Sequence, residues 1–185
     1  MKKLHLVTAI SLATLGVGCG HNSYSSQVAI NLDAKSGDVT AGTITTDKSI
    51  SVETGNPYAL FLSNARAKLG KDPSNVQVSG LTMFLGANSQ GVIALEQVFT
   101  GPVDVLFLMS DSKTSYSVGH FTSYTGPGPV NATVDFDPSK IIGQDHIDLM
   151  SGSFKVVLRG VATTGFVTLN ADATLQNTFT FQAVE

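Results

Sequence analysis

From Val28 onward, apolar and polar residues alternate with a period of two. Val28, Ile30 and Leu32 share one face of the pattern, and Asn31 and Asp33 the other. Phe154, Val156 and Leu158 alternate with Lys155, Val157 and Arg159, and Leu175, Phe179, Phe181 and Ala183 with Gln176, Thr178, Thr180 and Gln182. An extended backbone sends successive side chains to opposite sides, so these segments read as antiparallel strands with one face buried and one in water. The more continuous run 103–109 reads as a central strand covered on both faces. The pattern predicts strands over 28–33, 38–46, 49–54, 75–85, 92–100, 102–110, 115–124, 131–136, 153–163 and 166–183, the last broken near Asp172. Turn residues collect between them at Ser36-Gly37-Asp38, Asn88-Ser89-Gln90-Gly91, Gly101-Pro102 and Gly126-Pro127-Gly128-Pro129.

One helix is expected over 57–69. Asn56 suits the N-cap, Pro57 the first helical position and Gly70 the stop, while Tyr58, Leu60, Phe61, Ala65 and Leu69 fall mainly on one face. A shorter turn is expected at Asp137-Pro138-Ser139-Lys140, with Asp137 as its cap. Many short strands with regular turn signals and one short helix predict an all-β fold. The expected architecture is a two-sheet antiparallel β-sandwich of immunoglobulin-like or jelly-roll type. A closed β-barrel that stays in water is the alternative.

With 185 residues, 42% hydrophobic and 14% charged, the chain has enough apolar surface for one domain core. The formal net charge is −3, and the basic residues are scattered. Nucleic acid is not an expected partner, because phosphate contacts need clustered Lys and Arg. There is no Trp, which disfavours an aromatic sugar-binding platform.

Residues 1–19 read MKKLHLVTAISLATLGVGC. Lys2 and Lys3 precede an apolar stretch, residues 4–17, that is too short to cross a bilayer and is followed by small residues. That is the layout of a secretory signal. The sole cysteine, Cys19, stands directly after it in Leu15-Gly16-Val17-Gly18-Cys19, which resembles the lipobox of bacterial lipoproteins. Val17 and Gly18 fit that pattern, and Gly16 stands where the family usually has an aliphatic residue. The resemblance implies that residues 1–18 are removed, that the Cys19 thiol receives diacylglycerol, and that its new amine is acylated. Two or three chains then hold the protein to a membrane stably. Gly16-Val17-Gly18 also has the small-x-small spacing of an ordinary signal-peptidase site. Gly20, in place of the Asp that retains such proteins in the inner membrane, implies outer-membrane sorting. Residues 19–27 read as the lipidated Cys and a flexible tether, and 28–185 as the single domain.

Candidate chemistry is sparse. Asp145-His146-Ile147-Asp148, with Asp135 and Asp137 before it, offers carboxylates and an imidazole for a divalent metal or for acid–base work. Asp135-Phe136-Asp137 opens like a calcium loop, so structural calcium is the one cofactor considered. Lys140 and His146 then stand where that loop needs Gly and Glu. His120 and His146 are the imidazoles of the folded part, and no Gly-x-Ser-x-Gly elbow accompanies them. The stiff run Gly126-Pro127-Gly128-Pro129, with Phe121 and Tyr124 before it, is a candidate partner surface at a sandwich end. No catalytic residue is assigned. The expected function is that of a non-enzymatic envelope module, anchored by lipid, that is structural or binds a protein or glycan. The alternative is an envelope hydrolase or metal-binding protein using Asp145, His146 and Asp148.

Overall fold

A computed structural model of the chain describes residues 22–185 apart from Val52 and Thr54. The expected signal peptide and Cys19 lie outside the described residues. The described strands are β1 (Ser23–Lys35), β2 (Thr43–Ile50), β3 (Asn75–Leu85), β4 (Phe99–Met109), β5 (Ser115–Phe121), β6 (Val130–Asn131), β7 (Thr133–Val134), β8 (Phe154–Ala162) and β9 (Asp172–Val184). The helices are α1 (Pro57–Leu69), α2 (Gln144–Ser151) and α3 (Thr164–Thr168). One sheet has the order β1-β9-β3-β6 and the other β2-β8-β4-β5-β7, antiparallel throughout. Neither sheet closes on itself among the described residues, so the fold is a sandwich and not the barrel.

Alternation builds the core between the sheets. Along β9 the odd-numbered residues from Ala173 to Ala183 point inward, against Val28, Ile30, Leu32 and Ala34 of β1. Phe107 of β4 sits at the centre, its ring 4.7 Å from Phe154 and 5.9 Å from Phe179. Each buried aromatic pair of this kind adds about 0.5–1.5 kcal/mol beyond area burial.

The sandwich has two unlike ends. At the helical end β1 and β3 begin and β9 finishes. There the Tyr58 ring of α1 lies 5.2 Å from Phe154 and 5.0 Å from Phe181, and its hydroxyl donates to the Leu149 carbonyl of α2 at 3.0 Å. The loop end is closed by α3, by the short turns 36–38 and 95–97, and by the segment 122–129. The Thr163 N–H donates to Val98 and the Ser36 N–H to Ala171, each at 3.0 Å. One side is closed by a segment that changes sheets: β6 pairs with β3, β7 pairs with β5, and the Ala132 N–H between them donates to Leu81 at 2.9 Å.

α1 has the expected bounds and caps. The Asn56 side chain accepts from the Tyr58 N–H at 2.9 Å, and Gly70 takes the left-handed conformation at φ 75°. β3 also matches its expected range. Other elements differ, each for a local reason. β1 starts at Ser23, so most of the expected flexible tether is strand: Tyr24 is half-buried against Phe61, at 5.9 Å. The expected strands 38–46 and 49–54 are one hairpin arm, β2, entered by a tight turn. Ala41 and Gly42 are both left-handed there, and Thr40 and Thr43 exchange both backbone hydrogen bonds. The strand expected over 92–100 is mostly a cap: Val92, Leu95 and Val98 are buried around a single 3-10 turn. Gly101-Pro102 is a bulge inside β4 rather than a turn between strands. β4 is central but covered on one face only, with Asp104 exposed. Residues 166–168 are helical, in α3, so the last strand begins at Asp172.

Candidate functional site

The acidic cluster expected around Asp145 does not converge. Gly143 and Gly152, both with positive φ, bound α2, and its positions i, i+3 and i+4 turn Asp145, Asp148 and Leu149 inward. Buried carboxylates need donors. Asp148 accepts from the Asp111 N–H and from Gln144 Nε2, both at 3.1 Å. Asp145 Oδ2 accepts from the Tyr116 hydroxyl at 2.6 Å, and that bond is the main reason the Tyr116 pKa is raised. Asp145 Oδ1 is buried without a hydrogen-bond partner among the described residues. His146 turns the other way, with Nε2 3.1 Å from the Ser74 carbonyl. Asp145 and Asp148 therefore fasten α2 to the 110–116 hairpin.

Asp137 caps the 3-10 turn Pro138–Lys140: its Oδ1 accepts from the Ser139 hydroxyl at 2.6 Å and the Ser139 N–H at 3.1 Å. These bonds hold its pKa below the usual carboxylate value. Asp135 lies on the outer face of the second sheet, with Oδ2 2.6 Å from His120 Nδ1. No three His, Cys, Asp or Glu side chains gather as a metal cage among the described residues. The five residues considered for calcium or catalysis are spread over four local arrangements.

The His120–Asp135 pair was not foreseen. It arises because β5 and β7 pair with His120 opposite Thr133, which brings the residue two further on beside the ring. An imidazole oriented by a carboxylate is half of an acid–base device. No Ser or Thr hydroxyl is hydrogen-bonded to that ring among the described residues, and both side chains are about one-third exposed, at 34% and 37%.

The expected partner surface is corrected at Phe121 and Tyr124. Phe121 is fully buried, and Tyr124 is half-buried against Phe99 with its hydroxyl on the Gly101 carbonyl at 2.6 Å. The run 126–129 is built into the loop end. Gly126 and Pro127 accept from the Leu95 and Leu85 N–H groups at 2.8 and 2.7 Å, and Gly128 (φ 92°) abuts the Met83 carbonyl. The loop end presents the exposed Pro127 and Pro129 of that run and, beside them, Ile93, 80% exposed, and Leu169, 66% exposed. Their segments are tied together by the backbone pair Gln90–Asp172 and by Thr163 Oγ1 on the Gln97 carbonyl. The sequence signal for Ile93 was an isoleucine two residues after the turn glycine Gly91, which the alternation assigned to a strand.

At the helical end α1 and α2 flank an open apolar groove of about 330 Å³. Its lining includes Leu62, Arg66, Pro73, His146, Ile147 and Met150. Arg66 pairs with Asp72 on its rim. No helix among the described residues is long and apolar enough to cross a membrane. Comparison with protein-family models, with curated proteins and with solved structures finds no match for this chain.

Proposed function

We propose that the chain is a bacterial envelope lipoprotein, anchored through Cys19 to the outer membrane, whose sandwich is a non-enzymatic binding module for a protein partner at its loop end. Ile93 carries this reading. A large aliphatic side chain 80% exposed gives a partner apolar area to bury. It is also held in place: its N–H donates to Gln97 Oε1 at 2.7 Å, and the carbonyl of Gln97 is bonded to α3. Leu169 and Val167, 66% and 41% exposed, extend the apolar character on the adjoining helix. Apolar side chains on a fixed framework suit a protein surface better than a glycan. Asp135, Asp145, Asp148, His120 and His146 each have a hydrogen-bond partner within the fold and share no common centre, which supports binding over hydrolysis.

The test is photocrosslinking in living cells from a benzophenone residue at position 93, followed by mass spectrometry of the adduct. One reproducible envelope protein is expected. Ile93→Asp should remove it from a Leu169-positioned crosslink while leaving the thermal midpoint unchanged. Correctly exported protein that yields no adduct from either position would sink this assignment of the surface.

A further inference from the structure

The helical end is the end from which the chain leads back to Cys19. β1 is ordered from Ser23, and Asn22 is fixed to the C-terminus: its side chain donates to Glu185 Oε1 at 3.0 Å, and its carbonyl accepts the Glu185 N–H at 3.3 Å. Only Gly20 and His21 lie between Cys19 and this fixed residue. An extended chain covers about 3.3–3.6 Å per residue, so Cys19 and Asn22 are at most about 11 Å apart. Acyl chains on Cys19 enter the hydrocarbon layer, and the headgroup layer above it is about 5–8 Å thick. The link is barely long enough to clear the headgroups.

The groove between α1 and α2 lies close to that point. Ser23 and Asn75 both pair with Val184, placing β3 two strand spacings from β1, or about 10 Å. The neighbouring Ser74 carbonyl holds His146, and Pro73 and Ile147 line the groove. Ile147 is 57% exposed and Ile142, just before α2, 73% exposed. Arg66 and Lys71 at the end of α1 are paired with Asp72 and Glu185, which leaves the exposed Lys68 as the cation of α1 without a carboxylate partner among the described residues, so the face combines apolar side chains with one lysine.

We infer that the α1–α2 face rests on the bilayer that anchors Cys19, with Ile147 and Ile142 in contact with lipid, so that the loop end points away from the membrane. The inference rests on the anchored reading of Cys19. It predicts a fixed orientation of the module and not a body free to tumble on a tether.

The absence of Trp and the single Cys allow a direct test. Residues 19–185, which contain the whole sandwich, are coupled through the Cys19 thiol to maleimide-headgroup lipid in phosphatidylethanolamine–phosphatidylglycerol vesicles. Ile147→Trp, Ile142→Trp and Ile93→Trp are made singly. Ile147→Trp and Ile142→Trp should emit at shorter wavelength on vesicles and lose emission when brominated lipid replaces the ordinary kind. Ile93→Trp should do neither. Equal, unquenched emission from all three positions overturns the membrane face. The parent protein purified from membranes is weighed in parallel. A Cys19 without acyl chains withdraws the anchor and the inference together, whereas an acylated Cys19 with an unquenched Ile147→Trp variant overturns the orientation alone.

Discussion

At the scale of single residues, the exceptions to the alternation carry the sharpest consequences. Asn177 occupies an inward position of β9 between Leu175 and Phe179 and is fully buried. Its Nδ2 donates to the Leu175 carbonyl at 3.1 Å, but its Oδ1 meets no donor among the described residues. A buried unpaired oxygen costs about 1–3 kcal/mol, and Leu has the same number and branching of heavy atoms as Asn. Asn177→Leu should therefore raise the unfolding free energy in urea by about 1–2 kcal/mol; a loss would show that the amide is needed. Tyr58 predicts the opposite sign. Burial pushes its hydroxyl pKa far above the ordinary range, so the hydroxyl stays a donor to Leu149, and Tyr58→Phe should cost about 1 kcal/mol with no change in the far-ultraviolet spectrum. Asp137 gives a pH dependence. Its folded pKa is lowered, so the stabilisation it contributes is present above the ordinary carboxylate value and is lost as pH falls through the lowered one. Removing the hydroxyl by Ser139→Ala should move the Asp137 midpoint in an NMR titration back up, toward the ordinary value. An unmoved midpoint would assign the shift to something other than that bond.

At the scale of elements, α2 shows both what alternation reads and what it misses. Its inward face holds Asp145 and Asp148 beside Leu149, so no apolar stripe marks it as a helix. It is ordered by specific bonds instead. Asp148→Ala leaves the Asp111 N–H without its acceptor and should cost about 1–3 kcal/mol. Hydrogen exchange should speed up at Asp111 and across 110–114 before it does in β4; uniform exchange would mean that the carboxylate holds nothing locally. The elements that were legible, α1 and β3, are those whose caps or period stand in the local sequence. β1 was read too short because Tyr24 and Ser26 are only half-buried, and their inward facing depends on α1 and β9 lying opposite. Segment 92–99 was misread because a cap over the end of a sandwich buries apolar residues without the period of either helix or strand. The candidate site was legible only as composition. Which carboxylate meets His120 depends on the β5–β7 register, and which hydrophobes stay exposed depends on how the loop end closes. Neither is a local property.

At the scale of the whole molecule, the first and last of the described strands are held in one ladder. Ser23–Lys35 of β1 pairs with Asp172–Val184 of β9 along the full length of both, and β9 is in turn the partner of β3. β1 is otherwise an edge strand, covered along part of its length by α1 and touched by the other sheet through Thr46 Oγ1 on the Asp33 carbonyl at 2.8 Å. The first strand to be made thus has no partner until the last one is complete, and β3 lacks its central neighbour until the same moment. Contacts of such sequence separation join cooperatively and late. A protein that begins at Val28 keeps every turn, both helices of the helical end and most of the core, but lacks five strand positions, among them Tyr24 against Phe61. The lost pairing and packing should cost about 2–4 kcal/mol. Because β9 serves both β1 and β3, the loss should appear as one earlier transition in calorimetry and not as local fraying of an otherwise unchanged melt. An unchanged midpoint would mean that residues 23–27 are dispensable to the fold. The span between anchor and body would then be free to lengthen by melting the start of β1, and the close approach of the helical end to the membrane would not be enforced by the chain.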